Sequence, residues 1–204
     1  MNSQPKFSHF FAVMFVALLW VGCKSPTDDP NAINERYGIF TVSNDSVAKV
    51  DGTIRSRTLG DFQNMMEDYP NIKRLEMRNI PGSVDDETNL QLGQEVYNRG
   101  LNTHLDQGGE IASGGVDLFL AGRSRTAGTD PLIGVHSWSS GSLQASDLPQ
   151  DDPQHQPYID YYQAIGFTEQ EASDFYFFTI NAAAAADIHW MTAAEIEQYG
   201  VLTE

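Results

Sequence analysis

The apolar positions of this chain fall into segments with a helical period and segments typical of strands. Leu59, Phe62 and Met66 are three or four positions apart, which predicts an amphipathic helix. Similar patterns predict helices over residues 58–69, 90–99, 113–121 and 157–165. Short runs rich in β-branched and aromatic residues predict strands over 37–42, 46–50, 72–77, 102–105 and 132–138.

Two further helices are marked by the residues that begin them. Thr168 precedes Glu171 by three positions, and Thr192 precedes Glu195 by three, as in a capping box. We expect the helix after Thr168 to continue through residues 182–186. Residues 139–156 are polar and contain prolines, so they are predicted to form a long loop.

Strands and helices alternate along the chain, and this order predicts the fold class. It favours an α/β domain with a mostly parallel sheet flanked by helices. In such sheets, functional sites form at the carboxyl ends of the strands. Candidate functional residues are therefore expected in residues 81–83, 112–114 and 136–138, which follow or end predicted strands.

The first residues are typical of an exported lipoprotein. The apolar run over residues 10–21 is too short to span a bilayer but fits a signal peptide. It ends just before Cys23, the only cysteine, in a pattern that resembles a lipobox. We therefore expect a signal peptide over 1–22, a lipidated Cys23, a flexible tether over 23–36 and one folded domain over 37–204. A plain signal peptide with an incidental cysteine is the alternative.

Charge excludes some partners. The 204 residues carry a formal net charge of −16, whereas nucleic-acid binding requires clustered lysine and arginine. The same charge opposes adsorption to anionic lipid, so membrane attachment is expected through the lipid on Cys23 alone. The expected location is the bacterial cell envelope, facing the periplasm or the exterior.

A serine and a histidine on neighbouring predicted elements are the strongest chemical signal. Ser113 lies between glycine-containing segments where a strand is expected to turn into a helix, and His136 lies on a short apolar segment. A serine hydroxyl becomes a strong nucleophile when a base takes its proton, so the two residues are a candidate pair. The N–H of Gly114 is placed to stabilise an oxyanion. A helix-capping serine and a buried structural histidine are the alternatives.

Several segments, taken in order, resemble the ClpP/crotonase superfamily, and within it small exported ClpP-like serine proteases of bacteria. Residues 79–83, Asn-Ile-Pro-Gly-Ser, resemble the turn whose N–H groups bind an oxyanion, with a serine in place of the second glycine. Residues 112–114 resemble the nucleophile turn, and 118–122 resemble the helix behind it. Residues 133–136 resemble the strand that carries the base, and 186–192 resemble the closing segment.

This resemblance implies the roles of individual residues. It implies a triad of Ser113, His136 and Asp187; Asp174 is the alternative to Asp187. The backbone of Gly82, Ser83 and Gly114 is implied to form the oxyanion hole. It also implies a peptide or protein substrate and a possible homo-oligomer.

The sequence therefore predicts a membrane-anchored exported serine hydrolase, specifically a peptidase, that needs no metal or other cofactor. The alternative is a non-catalytic envelope lipoprotein that uses a ClpP-like scaffold for binding or assembly. A crotonase-like acyl-CoA enzyme is a more distant alternative, because an exported domain would not meet CoA. The histidines show no zinc-ligand spacing, and residues 85–87 are typical of a solvated helix start rather than a calcium site.

Overall fold

The computed structural model describes Met1 and residues 33–203. The predicted signal peptide, the lipidation site at Cys23 and the tether up to residue 32 therefore lie outside the described residues, apart from Met1. Within the described part, no helix has both the length and the apolar character needed to cross a bilayer.

The described residues form ten strands and six α-helices. The strands are β1 (Glu35–Tyr37), β2 (Phe40–Asn44), β3 (Val47–Val50), β4 (Arg74–Ile80), β5 (Asn102–Ala112), β6 (Arg125–Ala127), β7 (Leu132–Val135), β8 (Ser139–Ser140), β9 (Leu143–Gln144) and β10 (His189–Trp190). The helices are α1 (Thr58–Asp68), α2 (Asp86–Asn98), α3 (Gly114–Leu120), α4 (Gln156–Ala164), α5 (Glu169–Ala182) and α6 (Ala193–Gln198).

Eight of these strands form one sheet, in the order β1-β2-β3-β4-β5-β7-β10, with β6 paired to β5. The central pairs are parallel, because helices α1, α2 and α3 connect successive strands and return the chain to the same end of the sheet. The edges, β1-β2-β3 and β7-β10, are antiparallel. The predicted α/β class with a mostly parallel sheet is confirmed.

The core lies between the central strands and the helices that cover them. Leu75, Met77 and Ile111 on the parallel strands are fully buried, and so are Phe62 on α1 and Phe119 on α3. Because α3 is buried along most of its length, its first residues are held firmly against the carboxyl ends of the strands. That end of the sheet contains the candidate site.

Both predicted capping boxes are confirmed. The Thr168 side chain accepts from the backbone N–H of Glu171, whose carboxylate accepts from the N–H of Thr168. Thr192 and Glu195 exchange the same pair of bonds at the start of α6. Local side-chain chemistry therefore fixes where these two helices begin.

Several expectations differ from the structure. Helix α5 ends at Ala182 because Ala183 is extended, with φ −152° and ψ 155°, so the predicted continuation over residues 182–186 is wrong. The strand predicted over 102–105 extends to Ala112 as β5. The predicted loop over 139–156 contains the β8–β9 hairpin and two short 3-10 helices, Ala145–Asp147 and Pro153–His155.

Candidate active site

Ser113 lies at the junction between β5 and α3, where the structure holds it in an unusual backbone conformation. Its φ of 51° and ψ of −129° are rare for a residue with a side chain. The conformation is held by the Ser113 N–H, which donates to the carbonyl of Gly134 at 3.0 Å and so continues the pairing of β5 with β7. Strained residues of this kind are concentrated at functional sites.

The hydroxyl of Ser113 does not cap the helix that follows it. A capping serine accepts a hydrogen bond from an N–H in the first turn, and Ser113 makes no such bond. Among the described residues its Oγ has no hydrogen-bond partner at all. The geometry therefore does not support the capping alternative and leaves the hydroxyl available for chemistry.

The backbone of the loop between β4 and α2 lies beside this serine. Gly82 has a φ of 135°, and a Cβ added to it would lie 3.1 Å from the Cβ of Ser113 and 3.5 Å from its Oγ. The loop is fixed from its other side by Ile54, which donates to the Gly82 carbonyl and accepts from the N–H of Val84, both at 3.0 Å. Only glycine combines this φ with so close an approach.

Three backbone N–H groups in this region belong to the residues that the sequence resemblance assigned to an oxyanion hole. Within the described residues, the N–H groups of Gly82, Ser83 and Gly114 donate to no other group. Gly114 is the first residue of α3, and a Cβ added to it would lie 2.6 Å from the Oγ of Ser83. These residues are the ones for which the sequence resemblance implies an oxyanion hole, and Gly82 lies beside Ser113 in the structure.

His136 directly follows β7, is half-buried and lines the same cavity as Ser113 and Gly114. Its Nδ1 lies 2.7 Å from the backbone carbonyl oxygen of Ser137. A carbonyl only accepts hydrogen bonds, so Nδ1 carries a proton and, in the neutral ring, Nε2 is the basic nitrogen. Among the described residues no hydrogen bond joins Ser113 to His136. Such bonds often form only when substrate binds.

Neither candidate carboxylate makes a hydrogen bond or an ion pair with His136 among the described residues. Asp187 is exposed in the turn after α5, and within the described part its side chain makes no hydrogen bond to the imidazole. The rival Asp174 is also exposed and accepts from the side chain of Gln170 at 2.8 Å. At Nδ1, the place of a triad carboxylate is taken by the Ser137 carbonyl.

The cavity also contains acidic and aromatic residues that the sequence reasoning missed. These lining residues include Asp86, Asp117, Trp138, Tyr158, Tyr162 and Tyr176. Asp117 is four positions after Ser113 on α3, a spacing that places two side chains on one helix face and was available as a signal. The contribution of α4 and α5 was not available, because it depends on tertiary packing.

Asp117 is the most perturbed carboxylate of the cavity. Its Oδ1 accepts from the Tyr162 hydroxyl at 2.7 Å, and its Oδ2 accepts from the Asn89 amide at 3.2 Å. Burial raises the pKa of Asp117 to about 7, although the hydrogen bond from Tyr162 acts in the opposite direction. A carboxyl group that changes charge near neutral pH therefore lies beside the candidate nucleophile.

The other three histidines among the described residues have structural partners. His155 is buried, and its Nδ1 lies 2.7 Å from the hydroxyl of Tyr176, which also accepts from the Trp138 indole N–H. His189 lies 3.0 Å from the Glu195 carboxylate, and His104 lies 2.7 Å from Thr126. In the described part of the chain, no three potential metal-ligating side chains come together.

Comparison with known proteins supports the fold. No protein-family model matches the sequence, and no curated protein does so. Among solved structures, a mutant of the 1510-N membrane-bound stomatin-specific protease has a TM-score of 0.51 and 18% identity, over 78% of this chain and 77% of that chain. A second mutant of that protease, in complex with a substrate peptide, has a TM-score of 0.52 and 16% identity, over 78% and 73%. ClpP1 from Listeria monocytogenes has a TM-score of 0.51 and 14% identity, over 78% and 89%. This chain has the ClpP-like fold that the sequence resemblance implied.

Proposed function

We propose that this protein is a serine hydrolase, specifically a peptidase, with Ser113 as nucleophile and His136 as general base. The observation that carries the proposal is the conformation of Ser113. Its φ is 51°, its hydroxyl is not used as a helix cap, and it shares a cavity with His136. A serine held in this way is preorganised for attack rather than for stabilising a helix.

In the proposed reaction, the Oγ of Ser113 attacks the carbonyl carbon of a peptide bond while Nε2 of His136 takes the hydroxyl proton. The N–H groups of Gly82 and Gly114 then hold the negative oxygen. Collapse breaks the C–N bond, and the amine leaves with the proton from Nε2. Water, deprotonated by the same nitrogen, hydrolyses the acyl-enzyme and releases Ser113.

The orientation of His136 is part of the proposal. A triad carboxylate fixes the imidazole tautomer and stabilises the imidazolium that forms. The Ser137 carbonyl, at 2.7 Å from Nδ1, supports a scheme in which the backbone fixes the tautomer. Asp187 as third member stays a prediction, and its substitution separates a triad from a dyad.

Substrate, assembly and location are further parts of the proposal. A peptide substrate is supported by the ClpP-like fold and by the structural neighbour that is a protease in complex with a substrate peptide. A homo-oligomer is supported by the resemblance to ClpP. Attachment to the cell envelope through a lipid on Cys23 is supported by the N-terminal sequence pattern alone.

The test is labelling with a fluorophosphonate, which reacts with activated serines. We expect the parent protein to be labelled and the Ser113→Ala variant to lose the label. Ser142→Ala, at an exposed turn serine outside the cavity, is the matched control and should be labelled like the parent. Equal labelling of Ser113→Ala and the parent would reject the assignment.

A second candidate function is a non-catalytic scaffold in the envelope. It is favoured by two observations within the described residues: Ser113 and His136 are not hydrogen-bonded, and Asp187 is exposed and makes no hydrogen bond or ion pair with the imidazole. If no serine-directed probe reacts with the parent protein, the scaffold becomes the better interpretation.

A further inference from the structure

The cavity that contains Ser113 and His136 is acidic and lacks a lysine or arginine among its lining residues. Its two carboxylates lie at different depths, since Asp86 is exposed and Asp117 is half-buried on α3. Asp86 accepts from the Tyr158 hydroxyl at 2.7 Å and also from the hydroxyl of Ser83. The carboxylates are therefore held in place by neutral hydroxyl groups, and their negative charge is not neutralised by a basic side chain of the cavity.

Three aromatic rings of the same cavity form a continuous stack. The rings of Trp138 and Tyr158 have centroids 6.0 Å apart and an interplanar angle of 13°. Tyr158 and Tyr176 follow at 5.5 Å and 18°. Aromatic faces attract cations, and they stack especially well with the planar guanidinium group. The stack is joined to the carboxylates through the Tyr158 hydroxyl, and it favours a ligand of the same charge.

The polar network around Asp117 is also short of a hydrogen-bond donor. Asn89 is fully buried, and its amide nitrogen donates to Asp117. Its Oδ1 is a buried acceptor with no partner within the described residues. Buried acceptors are rarely left unsatisfied, so the network next to this cavity lacks one donated hydrogen bond.

We propose that this cavity selects a cationic substrate side chain, with its guanidinium or ammonium group bound by Asp117 and Asp86 against the Trp138–Tyr158–Tyr176 stack. The inference rests on the proposed function, because the same cavity contains Ser113 and His136. It makes Asp117 and Asp86 specificity-determining residues of the hydrolase and names basic peptides as the substrate class.

The selectivity should depend on pH. Burial raises the pKa of Asp117 to about 7, so a proton and a substrate cation compete for this carboxylate. The titratable groups around it are Asp86 from α2, Tyr158, Tyr161 and Tyr162 from α4, Tyr176 from α5, and His136. Burial raises the pKa of each of these tyrosines, so all four stay neutral in this range. Preference for a cation should therefore be stronger at pH 8 than at pH 6.

The experiment uses two diphenyl aminophosphonates that differ only in a side chain, arginine in one and its neutral isostere citrulline in the other. In each, the serine oxygen displaces phenoxide from phosphorus, so the labelling rate reports binding beside Ser113. We expect the arginine probe to label the parent roughly 10- to 100-fold faster, the range that a charge-assisted hydrogen bond provides. Asp117→Asn should lower this ratio at least about tenfold. Asp160→Asn, the same charge change at an exposed residue of α4 outside the cavity, should keep the parental ratio.

The outcomes separate the inference from the proposed function. If a plain fluorophosphonate labels Ser113 but the arginine and citrulline probes label it at equal rates, or neither labels it, the proposed cation site is wrong and the hydrolase proposal stands. If Asp117→Asn keeps the full ratio and Asp86→Asn does too, the carboxylates are not the selective groups. If the fluorophosphonate does not label Ser113, the proposed function fails and the inference fails with it. Thermal unfolding of each variant checks that it is folded.

Discussion

The raised pKa of Asp117 makes the stability of the protein depend on pH in a calculable way. Burial raises this pKa from 3.8 to about 7 in the folded state. Between these values the unfolded chain has lost the proton and the folded protein still holds it, so stability falls as pH rises. At about 1.4 kcal/mol for each pKa unit, the free energy of unfolding falls by about 4 kcal/mol over the whole range between the two pKa values. About 3 kcal/mol of it is lost between pH 5 and pH 8.

Asp117→Asn removes the titrating group while keeping its shape. The Tyr162 hydroxyl can still donate to the new side chain, and rotation of the Asn89 amide lets the Asn89 oxygen accept from it. Urea unfolding at pH 5, 6, 7 and 8 gives the free energy of unfolding of parent and variant. We expect the free energy of unfolding of the variant, relative to that of the parent, to rise by about 3 kcal/mol between pH 5 and pH 8.

Comparing two proteins at each pH cancels the contribution of other titrating groups. Asp160→Asn is the matched control because Asp160 is exposed on α4, and its pH profile should follow the parent. A parent and an Asp117→Asn variant with parallel profiles would contradict the reasoning, because the carboxyl would then titrate alike in the folded and unfolded states.

Three further substitutions test the site. Gly82→Ala places a Cβ at a residue with a φ of 135° and 3.1 Å from the Cβ of Ser113, so fluorophosphonate labelling should slow by about 10- to 100-fold. An unchanged rate would contradict the close approach of this loop to Ser113. Asp187→Asn should change the labelling rate less than about threefold, whereas a loss near 10⁴-fold would assign a triad. Tyr176→Phe removes the partner of the Trp138 indole N–H and of Nδ1 of His155 among the described residues, while Nε2 of His155 keeps the Pro149 carbonyl; urea unfolding should show a loss of about 1–3 kcal/mol in the free energy of unfolding, and an unchanged midpoint would contradict it.

Features decided by nearby residues could be predicted from the sequence. The starts of α5 and α6 follow from threonine–glutamate pairs three positions apart, whose side chains and backbones bond to each other whatever the surroundings. The placement of Ser113 between a strand and a helix was also predictable, because glycines and an apolar helix follow it directly.

Features decided by pairing across the sheet could not be predicted in the same way. β5 passes through Gly108 and Gly109, which interrupt a strand pattern, and its second half pairs with β4 and β7, which are distant in sequence. β10 has only two residues and is a strand only because it pairs with β7. The turn that contains Asp187 likewise depends on where α5 ends.

The same distinction between local sequence and tertiary packing applies to the candidate site. Ser113, His136 and the Gly82 turn could be named from motif order, since each belongs to a short segment with a recognisable pattern. The acidic and aromatic lining could not, because Asp86, Asp117 and Tyr158 come from three different helices that meet only in the folded protein.

The central claim is that His136 activates Ser113. The most direct measurement is the rate of fluorophosphonate labelling in the parent and in His136→Ala, with peptide mass mapping of the labelled residue. We expect the adduct on Ser113 and a rate about 10²- to 10⁴-fold lower without the imidazole. Equal rates in the two proteins, or an adduct on a different serine, would contradict the claim.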